Sequence, residues 1–309
     1  MPGETERGGP GAKMARPVRE RVDGLSVVIP AFNEEGAIRS VVELTRRSLK
    51  DLGVDYEVIV VDDASEDRTA AEAAAAGARL LAHPANAGYG AAIMTGAAQA
   101  RFDLIAILDA DGSYPPEELA KLLPHAQQFD MVIGQRTGQA YRGGIFKRRG
   151  RWAFGWLARF ITGQRIPDVN SGMRVFHKRV LEDAGHIACR GFSFSTTLTL
   201  SAITAGRFVK HVPIKYLPRV GRSHVRYLRD TLRAGQILVE AAVYHNPTKT
   251  AVCLACLPGA AGTALVLASP VVGSLLLFAT GVACLLTSLL IFVLGLVMDS
   301  VKMHSRRPE

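Results

Sequence analysis

Five short apolar runs alternate with helical patterns along the first half of the chain. The runs are rich in Val, Ile and Leu and do not alternate with polar residues. They cover residues 25–30, 56–63, 78–83, 103–108 and 130–135. Helical patterns lie between them, over residues 35–50, 68–76, 89–100 and 116–127. Continuous apolar runs are typical of strands buried on both faces, and their alternation with helices predicts an α/β fold with a mostly parallel sheet.

The C-terminal part of the chain has a different pattern. Residues 250–298 contain no charged residue. A division at Ser269-Pro270 gives two spans, 250–269 and 271–298, each long enough to cross the hydrocarbon core of a bilayer. A buried hairpin of a soluble protein is the alternative interpretation, but a charge-free stretch of this length favours a transmembrane hairpin.

Basic residues flank the two predicted spans. Lys249 precedes the first, Lys302, Arg306 and Arg307 follow the second, and the turn between the spans has none. The positive-inside rule therefore predicts that the α/β domain and both termini lie in the cytoplasm, at the inner or plasma membrane.

The charge pattern also predicts the boundaries of the chain's segments. Residues 226–248 mix Arg with Leu, Ile and Val, which is typical of a helix lying in the membrane interface. Residues 1–24 are rich in Gly and Pro and predict a disordered tail, with no signal peptide apparent. We expect the α/β domain over 25–225, the interfacial region over 226–248, the hairpin over 249–299 and a basic tail over 300–309.

The net charge narrows the class of partner. Lys plus Arg number 37 against 28 for Asp plus Glu, a formal charge of +9. Residues 131–167 hold eight Arg or Lys and no acid, and residues 207–233 hold a single acid. A basic surface of this kind suits anionic lipid, a phosphorylated substrate or nucleic acid. The sequence shows no aromatic stacking platform and no groove-reading module, so we expect no nucleic-acid partner.

Two acids follow directly after a predicted buried strand. Asp109 and Asp111 come after residues 103–108, and Asp62 and Asp63 end another run. In open α/β sheets, ligands bind beyond the carboxyl ends of the strands. Two carboxylates this close repel each other unless a cation lies beside them, and Mg²⁺ or Mn²⁺ prefers such oxygen ligands. The pattern indicates a cation that assists departure of a nucleoside diphosphate, although solvated loop acids or helix caps would leave the same signature.

Five motifs, taken in order, resemble those of family 2 glycosyltransferases with the GT-A fold, a Rossmann-like sheet domain. They are VVIPAFNEE (27–35), VIVVDDASEDRT (58–69), NAGYGAAIMTG (86–96), LDADGSYPPEEL (108–119) and DVNSGMRVF (168–176). The segment VPIKYLPRVGRS (212–223), followed by apolar spans, is similar to that of the polyprenyl-phosphate sugar transferases, a group that includes dolichyl-phosphate mannose synthase and bacterial relatives.

The resemblance implies roles for individual residues. The implied catalytic residues are Asp109, Asp111, Arg136 and Asp168. The implied donor-binding residues are Pro30, Phe32, Glu34, Val61, Asp63, Asp109, Ala110, Asp111, Arg219 and Ser223. A Mg²⁺ or Mn²⁺ ion is implied at Asp109, Asp111 and Ser113. The acceptor phosphate is assigned to Arg148, Arg149, Arg151, Ser171 and Arg174.

Some of these roles have alternatives. Asp168 is either a carboxylate near the reacting centre or a partner that fixes a loop through Arg174. A solvated basic face explains at least one of Arg148, Arg149 and Arg151. Ser113 stands where relatives often carry Gln, and His224 stands where Lys is common.

The implied reaction is inverting transfer of a hexose, from a donor of the GDP-mannose or UDP-glucose type, to dolichyl or undecaprenyl phosphate. A lipid phosphate is already anionic near neutral pH, so no strong general base is needed. Three alternatives stay open: a processive polysaccharide synthase, transfer to a glycan or protein hydroxyl with Asp168 as base, and a non-catalytic nucleotide-sugar-binding membrane protein. The sequence indicates neither the sugar nor the oligomeric state.

Overall fold

A computed structural model describes residues 23–138, 145–184, 194–219, 236, 239–240, 242–244 and 246–305. Ser223, the predicted N-terminal tail apart from its last two residues, and most of the predicted interfacial region lie outside these residues.

A seven-stranded sheet forms the centre of the catalytic domain. Its strands are β1 (Leu25–Ala31), β2 (Tyr56–Asp62), β3 (Arg79–Ala82), β4 (Leu104–Ile107), β5 (Met131–Thr137), β6 (Arg174–His177) and β7 (Val209–Lys215), in the order β3-β2-β1-β4-β6-β5-β7. Only β6 is antiparallel to its neighbours, β4 and β5. The predicted α/β class with a mostly parallel sheet is confirmed.

Two strands differ from the sequence pattern for physical reasons. β3 was expected to be buried on both faces, but it is an edge strand with exposed ends at Arg79 and Ala82. β7, on the opposite edge, alternates buried Val212 and Ile214 with exposed Pro213. A strand at the edge of a sheet is partly exposed to solvent, so it needs no continuous apolar run. β6 has four residues and begins with an arginine, which hides its strand character.

Helices cover both faces of the sheet. They are α1 (Ile38–Asp51), α2 (Thr69–Ala75), α3 (Tyr89–Ala98), α4 (Leu119–Ala126, after a 3-10 turn at Pro116–Glu118), α5 (Ile145–Thr162), α6 (Arg179–Ala184) and α7 (Phe194–Thr204). One core joins the sheet to α1, α2 and α4, and a second joins it to α3, α6 and α7. Burying an aliphatic side chain such as Ile38, Leu49 or Ile93 stabilises the fold by roughly 1.5–3 kcal/mol.

Helix α5 connects the catalytic domain to the apolar C-terminal segment. Its buried residues Ala158 and Ile161 pack in a third core with α7. Near its end, the Phe160 carbonyl accepts a hydrogen bond from Lys249 Nζ at 2.6 Å, and the Ile161 carbonyl accepts one from the side-chain amide of Asn246. The end of α5 is therefore held beside the start of the apolar helix that begins at Pro247.

Two long apolar helices follow, α8 (Pro247–Val272) and α9 (Leu275–Ser305). Each is long and apolar enough to cross a membrane, with mean hydropathies of 2.0 and 2.6. They pack closely as a hairpin, because a Cβ added at Gly262 would lie 2.8 Å from the Gly281 carbonyl oxygen. The Ser288 hydroxyl donates across the pair to the Ala255 carbonyl at 2.8 Å.

The predicted division of the two spans at Ser269-Pro270 is wrong. Pro270 lies inside α8, and the chain turns at Gly273, whose φ is 66°. A proline removes the N–H that would bond to the carbonyl four residues earlier, here that of Val266. The Ser269 hydroxyl donates to that same carbonyl at 2.8 Å, so the helix continues through the proline.

Candidate active site

Most of the predicted site residues that the structure describes lie at one edge of the sheet, where the parallel strands end. The parallel strands β1, β2, β4, β5 and β7 end at this edge, and β6, which runs the opposite way, begins there. Arg136 is near the end of β5, Arg174 starts β6, and Arg219 follows β7. Pro30 and Val61 are paired across β1 and β2, near the same edge.

The loops after β1 and β2 are joined by hydrogen bonds. The backbone N–H of Asn33 donates to Ser65 Oγ at 2.9 Å, and its side-chain oxygen accepts the N–H of Glu66 at 2.8 Å. The N–H of Glu34 donates to Thr69 Oγ1 at 2.8 Å. Asn33 adopts a φ of 55°, a conformation that Asn tolerates better than most residues. These contacts fix Glu34 beside the site.

Asp63 holds the loop that precedes α3. Its Oδ1 lies 2.7 Å from His83 Nδ1 and accepts the N–H of Ala87 at 2.9 Å, and its Oδ2 accepts the N–H of Gly88 at 2.8 Å. The side chain is almost fully buried. Every bond of this carboxylate that the structure shows goes to His83 or this loop. These contacts give Asp63 a role in positioning the loop, and its predicted contact with the donor stays a prediction.

Asp109 and Asp111 lie in the turn after β4. Asp109 Oδ1 accepts a hydrogen bond from the Tyr89 hydroxyl at 2.8 Å, and Asp111 Oδ1 accepts the N–H of Ser113 at 2.9 Å. Burial, followed by the charge of Asp111, raises the pKa of Asp109 to about 6. The two carboxylates therefore repel each other, as expected of a pair arranged around a cation.

The residues in this turn fit a divalent cation. The hydroxyl of Ser113 is fully buried and has no hydrogen-bond partner in the part of the chain that the structure describes. Two carboxylates and one hydroxyl form an all-oxygen set, the type that Mg²⁺ and Mn²⁺ prefer. Within the described ranges no cluster of three His, Cys, Asp or Glu residues occurs. The remaining ligands would be donor phosphates and water, which is the usual arrangement for Mg²⁺.

Arg219 spans the opening between two of these acids. Its Nη2 lies 3.0 Å from Glu34 Oε1, and its Nε lies 3.7 Å from Asp111 Oδ2. Burial raises the pKa of Glu34 to about 7, with Arg219 opposing the shift and Asp111 and Asp109 adding to it. Arg219 thus places a positive charge beside the acids, where the donor diphosphate is predicted to bind.

Arg136 and Asp168 form a two-pronged ion pair. Arg136 Nε donates to Asp168 Oδ2 at 2.9 Å, and its Nη2 donates to Oδ1 at 2.8 Å. Burial alone would lower the pKa of Arg136, but the bond to Asp168 raises it above its usual value. The alternative that paired Asp168 with Arg174 is wrong, because Asp168 binds Arg136 instead.

Arg174 and Ser171 are buried behind the site. Arg174 Nη1 donates to the Ser195 carbonyl at 2.9 Å and to Thr199 Oγ1 at 3.2 Å, and burial lowers its pKa. Ser171 Oγ donates to the Gly134 carbonyl at 2.5 Å. Both residues are fully buried and bind protein groups. These contacts support the site from beneath, and the predicted contact of both residues with the acceptor phosphate stays a prediction.

The three predicted acceptor arginines lie in the first two turns of α5. The structure describes this helix backbone but not the side chains of Arg148, Arg149 and Arg151, so their role stays a prediction. On the same helix Trp152 and Trp156 are 73% and 59% exposed. Of the predicted donor-binding residues, Phe32 lies directly after β1, and Ala110 lies between Asp109 and Asp111 in the turn after β4.

Sequence reasoning missed three residues that support the acids. Tyr89 binds Asp109, and His83 binds Asp63. The Tyr114 hydroxyl accepts the N–H of Gly172 at 2.8 Å. Gly172 in turn lies against Asp109, since a Cβ there would be 2.5 Å from Oδ2. The motifs contain both tyrosines but not His83, and a tyrosine between glycines gives no signal that its hydroxyl reaches an acid in the turn after β4.

Comparison with known proteins identifies relatives. The model of the family described as "Glycosyl transferase family 2" matches residues 26–185. The chain is 34% identical over 215 residues to the low-salt glycan biosynthesis hexosyltransferase Agl6 of Haloferax volcanii. This alignment covers 68% of this chain and 51% of that one. It is 30% identical over 217 residues to the undecaprenyl-phosphate 4-deoxy-4-formamido-L-arabinose transferase of Enterobacter sp. (strain 638), covering 68% of this chain and 65% of that one.

The chain therefore spans between half and two thirds of the length of these two relatives. Among solved structures, the fold resembles glucosyl-3-phosphoglycerate synthase from Mycobacterium tuberculosis in complex with Mn²⁺, UDP and phosphoglyceric acid. The TM-score is 0.57 at 22% identity, over 71% of this chain and 78% of that one. A complex of the same synthase with Mg²⁺ and UDP also gives a TM-score of 0.57, at 22% identity. This likeness confirms the predicted GT-A fold.

Proposed function

The chain belongs to glycosyl transferase family 2, and on that premise we propose that it transfers a hexose from a nucleotide-diphosphate sugar to a polyprenyl phosphate. The donor is of the GDP-mannose or UDP-glucose type, the acceptor is dolichyl or undecaprenyl phosphate, and the sugar carbon is inverted. The reaction takes place at the cytoplasmic face of a membrane and requires Mg²⁺ or Mn²⁺.

The observation that carries the proposal is the charge arrangement at the sheet edge. Asp109 and Asp111 follow β4 side by side, and Arg219 lies between Asp111 and Glu34. Positive charges bind a nucleoside diphosphate, and they also make it a better leaving group by neutralising the negative charge that it gains when the bond to the sugar breaks. Bound at the two aspartates, the metal ion would neutralise negative charge on the leaving diphosphate.

The protein's own residues supply positioning and electrostatics. Arg219 is close enough to Asp111 to contact a diphosphate bound at that carboxylate, by exchanging its bond to Glu34 for bonds to phosphate oxygens. Arg136 is held rigidly by Asp168 and presents its positive charge at the end of β5. A fixed charge costs no reorganisation during the reaction, so it stabilises the transition state more than a mobile one.

The Arg136–Asp168 pair favours a phosphate acceptor over a hydroxyl acceptor. Transfer to a hydroxyl of a glycan or protein requires a base, and Asp168 was the candidate. Both of its carboxylate oxygens accept hydrogen bonds from the Arg136 guanidinium. These bonds give Asp168 the task of orienting Arg136, whereas a lipid phosphate is already anionic and needs no base.

The apolar hairpin supports a lipid acceptor. The end of α5 is bonded to the start of α8 through Lys249 and Asn246. If α8 and α9 span the membrane, these bonds hold α5, with its arginines and exposed Trp152 and Trp156, at the membrane surface. Tryptophan is enriched at that depth, and each basic residue near anionic headgroups contributes about 1 kcal/mol. The predicted boundaries for the catalytic domain, interfacial region and hairpin are part of this proposal.

The relatives give further support. One is named as a transferase that uses undecaprenyl phosphate and another as a hexosyltransferase.

A labelling experiment tests the acceptor. Membranes that contain the protein are incubated with radiolabelled nucleotide sugars and extracted with organic solvent. Label in a lipid fraction that mild acid releases supports the proposal. Label found only in polymer or protein contradicts it and favours one of the hydroxyl-acceptor alternatives, and the absence of transfer from every donor favours a binding protein.

A further inference from the structure

Asp109 is held from two sides by Tyr89 and Gly172, which lie within the motifs but were not among the predicted site residues. The Tyr89 hydroxyl donates to Oδ1 at 2.8 Å. On the other side Gly172 approaches so closely that an added Cβ would lie 2.5 Å from Oδ2 and 2.7 Å from Oδ1. The rotation of this carboxylate is therefore restricted by one hydrogen bond and one backbone contact.

Tyr89 is itself fixed by the loop before it. It is the first residue of α3 and follows Gly88, whose φ is 96°. The N–H of Gly88 is bound by Asp63, and Asp63 lies 2.7 Å from His83. His83 Nε2 lies 2.9 Å from the hydroxyl of Thr95, which belongs to α3. The tyrosine thus stands on a backbone that is tied both to β2 and to its own helix.

The hydrogen bond has a clear direction. A phenol is protonated near neutral pH, so the Tyr89 hydroxyl is the donor and the Asp109 carboxylate is the acceptor. Hydrogen bonds to an ionised acceptor are about twice as strong as those between neutral groups.

We propose that Tyr89 is a positioning residue, whose hydroxyl holds the Asp109 carboxylate in the orientation in which it shares a divalent cation with Asp111. This role rests on the proposed function, because it presupposes the cation at these two acids. A phenylalanine at this position would fill the same volume but leave the carboxylate free to turn. The effect is therefore on metal affinity first and on sugar transfer only as a consequence.

The test measures metal binding directly. Mn²⁺ is titrated into the purified full-length protein in the presence of excess UDP or GDP, and free Mn²⁺ is followed by electron paramagnetic resonance. Tyr89→Phe should weaken Mn²⁺ binding about tenfold, the loss expected for one hydrogen bond to a charged group. Tyr56→Phe is the matched control, because Tyr56 begins β2 at the opposite end of the strand, and its affinity should equal that of the wild type.

A second variant approaches Asp109 from the other side. In Gly172→Ala, the new methyl group has to displace the carboxylate, so Mn²⁺ binding should weaken as well. Circular dichroism shows whether each variant is folded. Folded Tyr89→Phe protein with wild-type Mn²⁺ affinity overturns the inference. If Tyr89→Phe does not fold, a folded Gly172→Ala protein with unchanged affinity overturns it.

The failure of the proposed function gives a different result. In that case the wild-type protein itself binds no Mn²⁺ at these acids, and Asp111→Asn leaves the titration unchanged. Normal binding by the wild type, loss in Asp111→Asn and no change in Tyr89→Phe would remove only the role of the tyrosine.

Discussion

Arg136 and Asp168 meet end to end, with two N–H groups of the guanidinium on the two oxygens of one carboxylate at 2.8 and 2.9 Å. The backbone N–H of Arg136 also donates to Asp168 Oδ2, at 3.2 Å. An acid placed near a reacting centre is often assigned as a general base. Here its bonds indicate that it orients an arginine.

This relationship predicts the result of a double-mutant cycle. Asp168→Asn should lower the rate of transfer about 100-fold, because a misplaced charge costs roughly that factor. Arg136→Met should have a similar effect, and the double variant should be no slower than Arg136→Met alone. Steady-state kinetics with the lipid acceptor provides the measurement. Multiplying effects in the double variant would mean that Asp168 acts independently, as a base would.

The exposed tryptophans of α5 predict a separation of acceptor use from donor binding. Replacing both Trp152 and Trp156 by Ala removes two side chains suited to the membrane interface. We expect the KM for polyprenyl phosphate in liposomes to rise about tenfold. Donor affinity, measured by calorimetry, should be unchanged, and the double replacement by Phe should retain most of the acceptor affinity. An equal loss of donor affinity would contradict placement of α5 at the membrane surface.

His211 on β7 predicts a loss of stability in mild acid. Burial lowers its pKa from the usual 6.5 to about 4, with Asp168 opposing and Arg174 adding to the shift. Between these two pH values the unfolded chain binds a proton that the folded protein does not. The free energy of unfolding should therefore fall as the pH decreases from 6.5 to 4, by as much as ~3 kcal/mol.

The variant His211→Gln isolates this contribution. Asp109 and Glu34 have raised pKa values, so they contribute with the opposite sign and gain stability as the pH falls. They are present in both proteins and cancel in the difference. Thermal unfolding in detergent should show the variant losing less stability than the wild type between pH 6.5 and 4. Parallel pH curves would show that His211 is not buried as a neutral group.

Strands β1 to β5 and the helices between them could be predicted, because their apolar runs alternate with helical patterns, as βαβ units require. β6 and β7 could not. β6 has only four residues and contains a buried arginine, and β7 owes its half-exposed pattern to an edge position that the rest of the sheet decides.

The residues of the site could be predicted from the motifs, but the contacts between their side chains could not. The pair Asp109 and Asp111 follows from position after a strand. The partner of Asp168 depends on how β5 and the loop before β6 meet in space, and residues 136 and 168 are far apart in sequence. The burial of Arg174 is hidden for the same reason, since a basic residue in a motif reads as a ligand-binding group until its surroundings are known.

Metal dependence of sugar transfer tests the central claim most directly. Membranes with the wild-type protein are treated with chelator until no divalent ion remains, and the label transferred from nucleotide sugar to lipid is counted before and after Mg²⁺ or Mn²⁺ is restored. Transfer should stop on chelation and return with the metal, and folded Asp111→Asn protein should stay inactive under both conditions. Undiminished labelling of lipid after exhaustive chelation would contradict the claim that a cation at Asp109 and Asp111 releases the nucleotide.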